Sequence, residues 1–211
     1  MPACGRASRV CHEAVLRFPI ARLVRALPSI ALLLAAVAGC SDDDPFRPVA
    51  TTPNVVTGLG LASLSTGTLA PTALDFINLR AVRPLVDPTG SANFQLALDI
   101  AGLGQVRLLP VLRMVNPPSG SASVGLQRVD VDFETLGRAP SGGYALDSTV
   151  TAAVGETWVV QLSAGLCAFG DPVYAKLVVD GINTATGRLS VRFLLNRNCG
   201  YRDLTEGLPR N

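Results

Sequence analysis

The sequence holds one histidine, one lysine and few aromatic residues, which make up only 5% of its 211 positions. The histidine, His12, lies in an N-terminal segment that is expected to be removed, so the mature chain would contain no imidazole. That absence excludes a Ser-His-Asp triad, a Cys-His pair, a histidine-bound zinc and bis-histidine haem ligation. Gly-x-Ser-x-Gly and Walker-type motifs are missing too. We therefore expect a protein that is not an enzyme and that carries no cofactor.

The N-terminal segment has the layout of a secretory signal. Residues 26–39 are free of charge and mostly apolar, and Arg22 and Arg25 precede them. A basic region, an apolar core and small residues at the cut describe a signal peptide, and the run is too short to span a bilayer comfortably. The 39 residues are more than the usual ~15–30 of a signal. The sequence therefore predicts a translation start near Val24, downstream of Met1.

The end of the apolar run carries a more specific motif. The residues Val37-Ala38-Gly39-Cys40 resemble the lipobox of bacterial lipoproteins. The resemblance implies cleavage between Gly39 and Cys40 and lipidation of Cys40, so that the membrane is the first partner. The following residues, 41–44, resemble the acidic export signal of some Gram-negative surface lipoproteins. We expect a protein anchored in the cell outer membrane that faces either the periplasm or the cell surface.

Removing 39 of the 211 residues leaves 172, which suits one domain with a linker. The mature chain would hold 13 basic and 15 acidic residues, since five of 18 and one of 16 precede Cys40. No basic cluster remains, so a nucleic-acid partner is not expected. Cys167 and Cys199 are left to form one disulfide in an oxidising compartment. Two free thiols are the alternative, whereas two sulfurs without histidine make an incomplete metal site.

The mature chain divides into a tether and a β-domain. Residues 40–70 are polar, acidic or rich in small residues, which predicts a lipidated tether of which part can pack as an edge strand. Residues 71–211 are the predicted β-domain. There, apolar and polar residues alternate at 93–100, 128–134, 157–162 and 188–195, with Gly and Pro clusters between them. Such alternation indicates strands with one face on a core.

These strands predict an all-β fold, an antiparallel β-sandwich or open barrel of about eight strands. No segment of the mature chain has a convincing helical period. Pro110 interrupts the apolar run at 106–115, which predicts an edge strand or a bulge there, because proline cannot donate to a sheet ladder.

Three acidic residues are candidates for a metal or catalytic site. At period two, Asp130, Asp132 and Glu134 would share one strand face with neighbouring carboxylates roughly 6–7 Å apart. That spacing suits a weak calcium site, or a carboxylate pair for glycoside hydrolysis. The other interpretation is a solvated face opposite a core, with Arg128 supplying a compensating charge.

The aromatic residues are candidates for a ligand platform. Trp158, Tyr174 and Tyr201 can stack on a sugar or a planar ligand, although so few aromatics are also needed for the core. Tyr201 follows the last predicted strand and Cys199, so it is the strongest candidate for exposure.

The C-terminal third carries a second resemblance. Residues 155–162, 173–179 and 187–193 are similar to the closing hairpins of HmuY-like haem-binding lipoproteins. The resemblance implies an all-β lipoprotein fold. Members of that family bind haem through histidines, which have no counterpart after Cys40. We therefore expect a lipid-anchored envelope domain that binds a small apolar ligand or an envelope protein. A structural envelope lipoprotein and a haem-binding or other small-ligand-binding surface lipoprotein are the alternatives.

Overall fold

A computed structural model describes residues 47–67, 69–87, 91–102, 104–114, 122–163 and 167–210. This part of the chain is built from eleven strands. Their bounds are β1 Val55–Ala62, β2 Ala73–Asp75, β3 Arg80–Val82, β4 Leu96–Gly102, β5 Gln105–Pro110, β6 Ser123–Val129, β7 Ala145–Leu146, β8 Val150–Ala153, β9 Thr157–Ser163, β10 Val173–Asn183 and β11 Arg188–Asn196. A 3₁₀ turn at Leu64–Thr66 and an α-helical turn at Val111–Met114 are the helical elements of the described residues.

The strands form two antiparallel sheets, which confirms the predicted β-sandwich. One sheet has six strands in the order β1-β11-β10-β9-β6-β7, and the other has five in the order β3-β2-β4-β5-β8. The count exceeds the predicted eight because β2, β3, β7 and β8 have only two to four residues each. Segments that short contain too few residues to display a period of two.

The longest pairing joins β10 to β11. It runs from Tyr174 opposite Asn196 to Asn183 opposite Arg188, with one irregularity near Gly181. The connecting turn ends at Gly187, whose φ of 62° lies in the left-handed region. A Cβ at this position would lie 2.4 Å from Cγ2 of Thr66, so both the backbone and the space require glycine.

An apolar core fills the space between the sheets. The inner face of β11 contributes Leu189, Val191, Phe193 and Leu195, each at most 3% exposed. Phe193 meets Phe76, which directly follows β2 of the five-stranded sheet, edge-on, with ring centroids 4.9 Å apart. This geometry is favoured for aromatic pairs because ring edges and faces carry opposite partial charge.

The β-domain begins earlier in the chain than predicted. β1 lies within the segment assigned to the tether, yet it pairs with β11, and Leu61 and Ala62 are buried. The boundary at residue 71 is therefore wrong, while the prediction of an edge strand within 40–70 is confirmed. Small residues such as Gly58 and Gly60 hid the strand, because they weaken the contrast between its two faces.

Pro110 ends β5 instead of marking an edge or a bulge. β5 lies between β4 and β8, so it is an interior strand, and Pro110 is its last residue before the helical turn. A proline at a strand end removes no hydrogen bond that the ladder needs. Among the described residues, no helix is long and apolar enough to cross a membrane.

The predicted disulfide between Cys167 and Cys199 is confirmed. The two Cα atoms lie 5.9 Å apart, and the bridge joins the segment before β10 to the segment after β11. It fastens the start of the C-terminal segment, residues 197–210, to the domain.

Candidate functional site

The central part of the outer face of the six-stranded sheet is covered by chain instead of solvent. Two segments, 133–139 and 202–204, pair over it. Ala139 donates to the carbonyl of Arg202 at 2.7 Å, and Leu204 donates to the carbonyl of Gly137 at 2.9 Å. Under them lies a second apolar group, here called the outer cluster, which comprises Phe133, Leu136, Ala139, Val159, Tyr174, Val178, Leu194 and Leu204.

Lys176 lies in the middle of this covered face. It belongs to β10, where Ala175 and Leu177 point to the inner core, and it is paired with Leu194 of β11 and Val159 of β9. Its exposed fraction is only 5%. The only lysine of the sequence is thus buried at the centre of a six-stranded sheet.

The ammonium of Lys176 is held by the covering loop. Nζ donates to the backbone carbonyls of Phe133 at 2.7 Å and Leu136 at 3.0 Å. It also lies 4.7 Å from the centroid of the Phe133 ring. Because an ammonium has three N–H donors, these two bonds leave one donor for another group.

A pocket of about 260 Å³ opens beside this ammonium. The sheet supplies its floor with Lys176, Arg192 and Leu194, the loop supplies Phe133 and Glu134 on one side, and other residues complete the wall. Those other residues are Val55, Thr57, Thr205 and Glu206. The lining carries two cations and two carboxylates, so the pocket suits a polar ligand better than the apolar ligand expected from the sequence.

Arg192 is the second cation of the pocket. Its Nη1 bonds to a carboxylate oxygen of Glu134, and its Nε donates to Asp180 at 2.9 Å. Its guanidinium carbon lies 4.9 Å from the Phe133 centroid, so two cations approach the same ring. The ring quadrupole stabilises both, which lets like charges lie close together.

Burial lowers the pKa of Lys176, because taking an ammonium out of water disfavours its charged form. The carboxylates of Glu134, Glu206 and Asp203 oppose this effect, while Arg192 adds to it. Lys176 is therefore a weaker base than a surface lysine.

A second buried charge lies on the five-stranded sheet. Asp99 of β4 accepts hydrogen bonds from the Ser63 hydroxyl at 2.6 Å and the Ser65 amide at 2.8 Å, and it pairs with Arg107 of β5. Burial by itself raises the pKa of Asp99, but these bonds outweigh it and lower the pKa to about 2. Ser63, Ser65 and Arg107 occupy the carboxylate oxygens of Asp99, so Asp99 fixes the turn after β1 and offers no site for a ligand.

The three acidic candidates do not share one strand face, contrary to the prediction. β6 ends at Val129, so Asp130 lies in a bend, Asp132 just after that bend and Glu134 in a turn, not on one strand face. Asp130 pairs with Arg128 at 3.4 Å, and Glu134 pairs with Arg192. Among the described residues, no group of three Asp, Glu, Cys or His side chains is arranged to hold a metal. The alternation of apolar and polar residues at 128–134 did not indicate a strand as far as residue 134, because Phe133 reaches the outer cluster from a turn.

The aromatic candidates do not form a ligand platform. Trp158 is 7% exposed and packs in the inner core, so of the two roles left open for it the structure favours the core over a ligand platform. Tyr174 is buried in the outer cluster, where its hydroxyl accepts from Gln161 at 3.3 Å. Tyr201 is half-buried, and none of the three lines the pocket. Because the chain has so few aromatic residues, Trp158 and Tyr174 are needed to fill the two apolar clusters.

The lipidation and cleavage residues, Cys40 and Gly39, lie outside the described residues, as does the predicted signal peptide at 1–39.

Sequence reasoning missed the pocket, although a signal for it exists. Residues 173–179 are apolar except for Lys176, and residues 193–195 form an unbroken apolar run. Continuous apolar strands indicate burial on both faces, so a charge within one has to lie in a covered site.

No protein-family model, no curated protein and no solved structure matches this chain. The resemblances to bacterial lipoproteins and to HmuY-like proteins therefore stay predictions.

Proposed function

We propose that this protein is a lipid-anchored envelope protein of the outer membrane whose β-domain binds a small polar ligand in the Lys176 pocket. The lipobox residues ending at Cys40 support the anchor. The pocket supports the binding role, because it combines a volume of about 260 Å³ with fixed cations and carboxylates.

The burial of Lys176 carries this proposal. Moving an ammonium out of water is expensive, and an apolar residue of similar size is often as stable or more stable in such a place. Lys176 nevertheless lies at the floor of the pocket with one N–H donor left over. A charge kept at the cost of stability, next to open space, is best explained by a ligand that uses it.

The binding role is tested by a thermal-shift screen of small carboxylates, amino acids and sugars. We expect at least one compound to raise the midpoint temperature of thermal unfolding of the wild-type protein but not that of Lys176→Met. Arg128→Met is the matched control, since Arg128 is a half-exposed cation that does not line this pocket. Equal stabilisation of all three proteins, or none of wild type, would favour a purely structural envelope role.

The anchor has a separate test. Cys40→Ser should release the protein from membranes or stall its processing, because a lipoprotein is held by the acyl chains on that cysteine. Cell fractionation and intact mass measurement report both effects. Unchanged membrane association with normal processing would contradict lipidation.

A further inference from the structure

Three large apolar side chains are exposed at one end of the sandwich. Val49 is 60% exposed, Phe169 is 84% exposed and Leu208 is 63% exposed. Isolated exposed apolar residues are normal on a protein surface, whereas several at one place indicate a contact surface.

Hydrogen bonds and the disulfide place these three residues at the same end. The amide of Val49 donates to the side chain of Asn198 at 2.6 Å, next to Cys199. Cys199 is bridged to Cys167, which begins the turn that carries Phe169. The amide of Thr51 donates to Gly207, the neighbour of Leu208, at 2.8 Å. This is the end at which β1 begins and β11 ends.

The turn that carries Phe169 is held in place. Gly170 donates to the carbonyl of Cys167 at 3.1 Å, the disulfide fixes Cys167, and Gly200 donates to the carbonyl of Pro172 at 2.9 Å. These bonds fix the backbone of the turn, so Phe169 is presented to solvent, 84% exposed, and its apolar surface is available for a partner.

The length of the chain limits what this end can meet. Six residues lie between Cys40 and Arg47, the first described residue, and the seven steps along the chain span at most about 25 Å. A lipid on Cys40 therefore keeps this end close to the bilayer. Arg47 and Arg210 are exposed and lie two positions from Val49 and Leu208, where they suit lipid phosphates. The exposed Asp171, near Phe169, and the exposed Glu206, two positions before Leu208, are opposing charges at this end.

We propose that Val49, Phe169 and Leu208 form a membrane-contact surface that inserts into the phospholipid headgroup region beside the anchor. This inference rests on the lipid anchor of the proposed function, but not on the pocket. It assigns the domain a fixed orientation, with the β1 start toward the bilayer and the opposite end of the sandwich away from it.

The opposite end offers a matched control. Leu69 is 77% exposed, close to the exposure of Phe169. It follows β1, where Ala62 donates to Pro71 at 2.8 Å and Ser63 donates to Gly187 at 2.7 Å, beside the turn between β10 and β11. The eight residues of β1 separate the two ends by about 26 Å.

The test uses the full-length lipidated protein in phosphatidylcholine–phosphatidylglycerol vesicles with and without bromine on the acyl chains. Phe169→Trp and Leu69→Trp each add one indole to a chain whose only other tryptophan, Trp158, is buried. We expect bromolipid to reduce the added emission of Phe169→Trp about twofold, since interfacial residues reach the acyl boundary. Leu69→Trp should be unaffected.

The outcomes separate the contact surface from the anchor. Vesicle flotation is measured on the same samples. Protein that floats with the vesicles but shows no quenching at position 169, or equal quenching at 169 and 69, would overturn the contact surface and leave the anchor standing. Protein that stays in solution would overturn both. Leu208→Trp, expected to be quenched like Phe169→Trp, is the second positive variant.

Discussion

The two faces of the six-stranded sheet are both buried, but they are buried in different ways. The inner face meets the five-stranded sheet through apolar residues such as Val191 and Phe193. The outer face meets two irregular segments and encloses Lys176, whose ammonium bonds to backbone carbonyls of the covering loop. One face is closed by regular strand packing, and the other by chain that leaves a pocket.

The difference suggests a division of roles within one sheet, in which the inner face stabilises the fold and the outer face carries the proposed site. A face packed strand on strand has little room for polar groups, because an unpaired charge there has no partner. A face covered by loops brings free backbone carbonyls and carboxylates to the same place, so a lysine can be held. We therefore expect the face that holds the candidate site to contribute less to stability than the inner face.

The largest expected effect compares adjacent leucines on the two faces. Leu195 points to the inner core and Leu194 to the outer cluster, and both are almost fully buried. We expect Leu195→Ala to lower the free energy of unfolding by about 4 kcal/mol and Leu194→Ala by about 2 kcal/mol. The reason is that Leu194 lines the pocket, where neighbours can relax or water can enter. Urea denaturation measures both, and equal losses would contradict the comparison.

Loss of the disulfide should loosen the outer face selectively. Replacing Cys167 and Cys199 by serine frees a loop whose ends are 32 residues apart, which lowers the free energy of unfolding by about 3 kcal/mol. Because the bridge holds the segment that carries Leu204 over the outer cluster, hydrogen exchange should accelerate at 202–204 before it does in β4. Uniform acceleration would show that the bridge stabilises both faces alike.

Asp99 provides a pH-dependent prediction on the other sheet. Its pKa of about 2 lies below the unfolded value of 3.8, so its contribution is present above pH 4 and is lost as the pH falls toward 2. Because the Arg107 side chain is half-exposed, solvent screens its ion pair with Asp99. This screening limits the contribution of Asp99 to the free energy of unfolding to about 1–2 kcal/mol. Unfolding at pH 2 and pH 6 should differ less for Asp99→Asn than for wild type; an unchanged difference would refute this role.

The smallest expected effect is that of Lys176→Met. Methionine keeps the stem in the outer cluster and removes the buried charge, so we expect a change within about 1 kcal/mol at neutral pH. As the pKa of Lys176 is lowered, wild type should gain stability relative to this variant as the pH rises toward 10.5, where the unfolded lysine also loses its proton. Thermal unfolding at pH 7 and pH 10 measures it. A large loss with methionine at pH 7 would show that the ammonium itself holds the loop.

Much of the sandwich could be predicted because its long strands have one visible period. The alternation around Leu189 and Leu98 identified β11 and β4, and the cysteine count identified the bridge. β1 was assigned to the tether because its glycines weaken the difference between an apolar and a polar face. The strands of two to four residues are too short to display any pattern.

The site was hidden for a different reason. Lys176 is one charge in an apolar run, and sequence alone does not reveal which segments cover the outer face. The acidic residues at 130–134 suggested a metal site because carboxylates at every second position of a strand would lie on the same face. The strand ends at Val129, and the loop then turns to place Phe133 over Lys176. Long-range coverage of this kind is a tertiary property.

Because Thr51 bonds to Gly207, the two ends of the described chain leave the domain side by side. A rearranged gene that links residue 210 to residue 47 through a few glycines, and that begins within the turn at 184–187, would keep each of the eleven strands whole. Such a circular permutant would begin and end at the opposite pole of the sandwich. The order of the strands along the polypeptide is thus separable from their order in the sheets.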